Sequence, residues 1–236
     1  MAKEISAIVD CFGIKDWYFK ASYDKANRTS LNNFRGIGER EGFDVLCEAK
    51  NRFGIKTTTD VHSIEEAFLF APVVDMVQIP ALLSRQTDIL FAAGQAAVSV
   101  NIKKGQFTAP WDMINAVKKV EAGGCKQIYV TERGTCFGYN RLVVDFLSIP
   151  MMQAFGIKAI FDCTHSLQLP QAGFGCSASM PRDYAMILAK AATVAGADGI
   201  FAEVHDNPDN AKCDGPNSLE LKKLPEFIEN ILKLKQ

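Results

Sequence analysis

Seven short β-rich runs alternate with helix-periodic stretches along the 236 residues of this chain. The runs cover residues 17–22, 56–61, 76–81, 98–104, 127–134, 158–164 and 199–205. Most are apolar in the middle and polar at the C-terminal end, as expected of parallel strands whose ends face a solvent-filled site. Helical signals lie between them. Tyr184, Ile187, Leu188, Ala191 and Ala195 share one face up to a stop at Gly196. Ser63 with Glu66 makes a capping box before residues 67–70. Met113, Val117 and Val120 precede Gly123 and Gly124, while Phe227, Ile231 and Leu232 mark a C-terminal helix. With no composition break or long linker, residues 1–236 read as a single domain.

This alternation fits an α/β fold with one parallel sheet and helical crossovers, either an open doubly wound sheet or a closed (β/α)8 TIM barrel. Neither a GxGxxG nor a GxxxxGK[ST] fingerprint follows any strand, which counts against the nucleotide-binding open sheets. Polar residues at nearly every strand end favour the barrel. A barrel needs eight strands, and seven are visible. Ile5, Ile8, Val9 and Phe12 already have helical spacing, so the expectation is a barrel lacking its first strand at the N-terminus.

Composition narrows the partners. Hydrophobic residues make up 48% and charged ones 22%, enough to bury a substantial core. Twenty-six basic side chains against twenty-seven acidic ones leave no global field to draw nucleic acid or a membrane surface. Seven cysteines without a CxxC pair point to a reducing, cytoplasmic compartment. No apolar run approaches the roughly 18 residues needed to span a bilayer, and no signal peptide is expected.

The strand ends carry the chemistry. Lys20 ends the first run, and Lys25, Asn27, Arg28, Thr29 and Ser30 follow in its loop. Asp60 and His62 end the second, Gln78 the third, Lys103 and Lys104 the fourth, and Glu132 and Arg133 the fifth. Asp162 and His165 end the sixth, and Glu203 and His205 the seventh, with Asp214 in the next loop. Like charges gathered at one mouth repel unless an anion neutralises them, so the substrates are expected to carry phosphate or carboxylate. Asp60 and Asp162 have a plainer role open to them, pairing with those cations. His165, Glu203 and Asp214 suit a divalent metal, or equally a positioned water and a proton relay.

At these residues a resemblance becomes specific. FKASYDKANRTS (19–30), TDVH (59–62), QIPA (78–81), NIKKGQF (101–107), TERGTCFGYN (131–140), FDCTHSLQLP (161–170) and DGPNSL (214–219) are similar to the 3-deoxy-D-manno-octulosonate 8-phosphate synthase family. The matches run from about residue 17 to 222 with compatible spacing. KANRTS stands where the related DAHP synthases carry a KPRT-like segment, which favours the octulosonate enzymes.

The resemblance implies a (β/α)8 barrel, usually a homotetramer, that condenses phosphoenolpyruvate with D-arabinose 5-phosphate and water in lipopolysaccharide (Kdo) biosynthesis. It implies that Lys20, Lys25, Lys103 and Arg133 hold phosphoenolpyruvate with Gln78 nearby, and that Asn27, Arg28, Thr29 and Ser30 take the aldose phosphate. Arg35, in a FRG segment, is the kind of residue that contributes across a subunit interface. Lys103 is the candidate proton donor to the aldehyde oxygen, and His165, Glu203 and Asp214 surround the reacting water or a metal. The family has metal-dependent and metal-independent members, told apart by a Cys or an Asn at the end of the first strand. Cys213-Asp214-Gly215-Pro216 resembles the metal-independent form, so no cofactor is expected, with a divalent metal as the alternative. Departures from the family pattern are Leu82 for Phe after QIPA, Ile37 for Pro, and Ser177-Ala178-Ser179 for a Ser-Gly-Gly loop. The competing expectations are a sister enzyme using another aldose phosphate, a Schiff-base aldolase built on Lys20 or Lys103, and an inactive truncated barrel.

Overall fold

The computed structural model describes residues 1–173 and 178–235. In chain order the elements are α1 (Ala2–Cys11), β1 (Phe19–Lys20), α2 (Glu39–Phe53), β2 (Thr57–Asp60), α3 (Ile64–Phe70), β3 (Met76–Ile79) and α4 (Thr87–Ala96). There follow β4 (Ser99–Lys103), α5 (Met113–Gly123), β5 (Gln127–Glu132), β6 (Thr135–Cys136), β7 (Leu142–Val143) and α6 (Ser148–Gln153). The chain ends with β8 (Lys158–Asp162), α7 (Tyr184–Val194), β9 (Gly199–Phe201), β10 (Val204–His205), β11 (Leu219–Glu220) and α8 (Leu224–Leu232).

Each expected run forms a strand, trimmed at its ends. Seven strands make one all-parallel sheet in the order β1-β2-β3-β4-β5-β8-β9. Val77, Ile79, Val100, Ile102, Val130, Ala159 and Phe161 on the central strands are fully buried, as a parallel sheet covered by helices requires. The sheet curls until its two edges approach: Lys25, in the loop after β1, reaches Asp214, in the loop after β10. Outside the sheet, α1 packs on both α2 and α8, so the helical layer runs across the gap between β1 and β9. Among the described residues, β1 and β9 each pair with one neighbour, so the sheet is a curled, open one.

The last expected strand divides. After Phe201 the Glu203 amide donates to the Thr164 hydroxyl (3.0 Å) instead of continuing the β8 ladder. The chain then resumes as β10, which pairs in parallel with β11, a strand without a clear sequence signal. The antiparallel β6–β7 ribbon over the mouth is likewise absent from the sequence reading.

Local chemistry explains the helices. Ser63 Oγ accepts from the Glu66 amide (3.2 Å), while the Glu66 carboxyl accepts from the His62 amide (2.6 Å), closing the start of α3. Gly124, at φ 113°, ends α5 in the left-handed region that glycine tolerates. A Cβ on Gly94 would lie 2.1 Å from the Val120 carbonyl oxygen, so its hydrogen lets α4 and α5 meet backbone to backbone. Among the described residues no helix is long and apolar enough to cross a membrane.

Candidate active site

A ladder of polar side chains runs inside the curl, one rung per strand. Lys20 pairs with Asp60 (2.9 Å) and donates to Ser22 Oγ (2.6 Å), which in turn donates to Asp60 (3.2 Å). Gln78 Nε2 donates to the other Asp60 oxygen. Asn101 Nδ2 donates to Gln78 Oε1 (2.8 Å), and Thr131 Oγ1 donates to Asn101 Oδ1 (2.8 Å). Because strand side chains alternate, Asn101 and Lys103 share the inner face while Lys104 points away. Lys104 is fully buried among the Thr108 and Gly105 carbonyls, Thr135 and Glu132, and organises the loop instead of facing the mouth.

The second half of the site gathers at the ends of β5, β8 and β9. Lys103 Nζ donates to Asp162 and lies 3.6 Å from the centre of the Phe201 ring. The same Asp162 oxygen lies 2.7 Å from His165 Nδ1. His165 Nε2 is 4.0 Å from Glu203 Oε1, a buried oxygen without a hydrogen-bond partner among the described residues. Gln168 joins two halves of the mouth: its oxygen accepts from Arg133 (2.5 Å) and its amide donates to Asp214 (3.0 Å). Lys25 Nζ stands 3.4 Å from the other Asp214 oxygen.

Charges tune one another here. Burial pulls the Lys103 ammonium below the usual lysine range; Asp162 offsets part of that fall, while Arg133 and Lys20 add to it. Burial also lowers the Arg133 guanidinium against the pull of Asp162, Asp214 and Glu132. For Lys25 the balance reverses: burial lowers it, but the Glu203 and Asp214 carboxyls outweigh that and leave it raised. Burial would push the carboxyls up, yet Lys20 and Lys25 hold Asp60 low, and His165 and Lys103 hold Asp162 well below the carboxylate range. Asp214 is likewise held at about 2, by His165, Lys25, Arg28 and Lys20 against its burial.

The structure thus brings Lys20, Lys25, Gln78, Lys103, Arg133, His165, Glu203 and Asp214 to one mouth. The aldose-phosphate candidates sit on the loop at its rim. Arg28 Nε donates to the Phe34 carbonyl (3.1 Å), while its Nη2 is buried and has no partner among the described residues. Asn27 and Thr29 are exposed and Ser30 is half-buried. Arg35 is held by Asp24 (2.6 Å) on the surface, away from the ladder. Leu82 is 45% exposed in the short turn after β3. Of the Ser177-Ala178-Ser179 segment, Ser177 lies outside the described residues.

Asp162, expected at a strand end to pair with the cations, does so with Lys103, whereas Gln168 is a side chain for which the sequence offered no role. Both lie inside the FDCTHSLQLP motif, and their partners stand 35 to 59 residues away in the chain. A divalent ion would require His165, Glu203 and Asp214 to turn donor atoms towards one point. Asp214 is committed to Gln168 and Lys25, and among the described residues no three His, Cys, Asp or Glu side chains converge as an ion cage. As placed, the three do not fit a metal.

The sequence profile of the DAHP synthetase I family matches residues 1–236. A protein of Synechococcus sp. named 2-dehydro-3-deoxyphosphooctonate aldolase is 47% identical over 236 residues, which cover 100% of this chain and 82% of that protein. A Geobacter sp. protein of the same name is 49% identical over 230 residues, 98% of this chain and 84% of its own. Another, from Nitratidesulfovibrio vulgaris, is 51% identical over 216 residues, 92% and 79%. With a match over its full length and a cation-lined mouth at the strand ends, this chain belongs to the DAHP synthetase I family.

Proposed function

We propose that this chain is a carbon–carbon bond-forming transferase that joins phosphoenolpyruvate to D-arabinose 5-phosphate. With water, the products are 3-deoxy-D-manno-octulosonate 8-phosphate and inorganic phosphate, on the route to the Kdo of lipopolysaccharide. The observation that carries this reading is the cluster of Lys20, Lys25, Lys103 and Arg133 at one mouth, in a chain about half identical to proteins named for that product. Fixed cations hold the phosphate and carboxylate of phosphoenolpyruvate, and Gln78 lines the same floor. The rim loop takes the second phosphate through Arg28, whose buried Nη2 has no hydrogen-bond partner among the described residues, with Asn27, Thr29 and Ser30. Arg35 completes that subsite from a neighbouring subunit of a homotetramer.

In the reaction C3 of phosphoenolpyruvate bonds to the aldehyde carbon, the water oxygen bonds to C2, and phosphate departs. Oxyanion and carbocation-like character develop in a site of preset charges, and holding two anions side by side removes much of the entropic barrier. Lys103 supplies a proton to the aldehyde oxygen, while His165, Glu203 and Asp214 receive the water. Asp214 acts while held by Lys25 and Gln168. A further parallel strand between β1 and β9 would complete a (β/α)8 barrel, with α1 as its helix. The cytoplasm is the compartment this chemistry and the thiol pattern suit.

Purified protein tested for phosphoenolpyruvate loss with D-arabinose 5-phosphate and, separately, D-erythrose 4-phosphate decides the matter. Consumption with the pentose phosphate, and a product of octulosonate 8-phosphate mass, are expected. Preference for the tetrose phosphate would establish the sister reading. Loss with neither sugar overturns both.

A further inference from the structure

We infer that Asp162 is a positioning residue that fixes His165 as its Nδ1–H tautomer and clamps the Lys103 ammonium with the same carboxylate oxygen. The inference rests on the proposed condensation for its consequence, but its geometry stands apart from any substrate. Asp162 is fully buried at the end of β8. Its Oδ1 accepts from the Thr164 amide (3.1 Å), the Thr164 hydroxyl (3.1 Å) and the His165 amide (2.9 Å). Those three donors lock the carboxylate plane. Oδ2 is thereby aimed at His165 Nδ1 (2.7 Å) and at Lys103.

A carboxylate oxygen accepts and does not donate, so the imidazole proton facing it belongs on Nδ1. Nε2 is then left with a lone pair, 4.0 Å from Glu203 Oε1, an oxygen with no hydrogen-bond partner among the described residues. Two acceptors facing one another form a seat for one donor, such as a water molecule or a substrate hydroxyl. Thr164 extends the control: its hydroxyl donates to Asp162 and accepts from the Glu203 amide (3.0 Å), so the backbone of Glu203 hangs on the same carboxylate. A single buried group therefore sets the tautomer of the imidazole, the place of the ammonium and the backbone that carries the opposing carboxyl.

The chain has three histidines, which makes the tautomer readable. Nitrogen NMR of histidine-labelled protein at about pH 9, where free imidazole is neutral, is assigned with His62→Gln and His205→Gln. His165 is expected to show a protonated Nδ1 and a bare Nε2 in the substrate-free wild type. In Asp162→Asn, with the amide NH2 facing the ring, the proton is expected to move to Nε2, and turnover to fall on the order of 100-fold. In Thr164→Val the wild-type tautomer is expected to persist. A wild type that carries its proton on Nε2, or on both nitrogens, overturns the inference without reference to any variant; so does a folded Asp162→Asn protein that keeps Nδ1–H. Failure to consume either sugar, with the expected tautomer in place, strikes the proposed reaction and not this geometry.

Discussion

Lys25 Nζ stands 3.4 Å from Asp214 Oδ2, and this contact ties the loop after the first strand to the loop that follows the last. Both groups are largely buried, so the pair works in a medium where charge is poorly screened. Removing one partner leaves the other uncompensated, which costs more than the pair gains. Lys25→Met is therefore expected to weaken phosphoenolpyruvate binding at least tenfold in calorimetry and to lower the melting temperature. Asp214→Asn, which keeps the Gln168 contact possible, is expected to disturb stability less. Equal binding by Lys25→Met and wild type would remove Lys25 from the anion site.

Acid should open the same seam. Asp214 is held at about 2, below an ordinary aspartate, so its folded form binds a proton less readily than the unfolded chain does. The stability it contributes is fully present above about pH 4 and is lost as pH falls towards about pH 2, an amount of roughly 2 kcal/mol. Asp60 and Asp162 shift in the same direction and steepen the loss. Urea unfolding measured from pH 6 down to pH 2 should show this slope, and Asp214→Asn should show a shallower one.

The alternation of apolar runs with helical stretches made the parallel sheet readable, because covered parallel strands need continuous apolar cores such as those around Val100 and Val130. The charged strand ends were readable for a related reason: side chains at the C-terminal ends of parallel strands converge. Other features depend on partners distant in sequence. Nothing near Ala202 announces that the Thr164 hydroxyl will divert the strand, or that Leu219 will pair with Val204. Gln168 gains its place from Arg133 and Asp214, 35 and 46 residues away. The open or closed state of the curl is a property of its two edges, and no single segment encodes it.

Helix packing gives a prediction with no chemistry in it. Gly94→Ala would gain helix propensity of about 1 kcal/mol, yet its Cβ would fall 2.1 Å from the Val120 carbonyl oxygen. A backbone atom cannot swing aside as a side chain can, so α4 and α5 must separate. A net destabilisation of about 1–3 kcal/mol is expected from chemical denaturation. A neutral or stabilised Gly94→Ala would show that the two helices are less tightly docked.

Adjacent lysines offer the sharpest separation of structure from chemistry. Lys103, the last residue of β4, and Lys104 just after it are both buried, but they turn to opposite sides. Lys104 is caged by the Thr108 carbonyl (3.0 Å), Thr135 and the Glu132 carboxyl (3.4 Å). Lys104→Met strands Glu132 and frees two carbonyls, so about 3–5 kcal/mol of stability should disappear. Whatever folded protein remains should bind phosphoenolpyruvate as the wild type does. Lys103→Met instead removes an ammonium that burial already holds below the usual lysine range, together with its contacts to Asp162 and the Phe201 ring. Turnover is expected to fall by about 10²–10⁴-fold, the span of a lost general acid, while the protein remains folded because Asp162 keeps its contacts with Thr164 and His165. Denaturation curves and single-turnover rates on the two variants should therefore move in opposite order. A Lys103→Met enzyme with normal turnover would exclude that lysine as the proton donor.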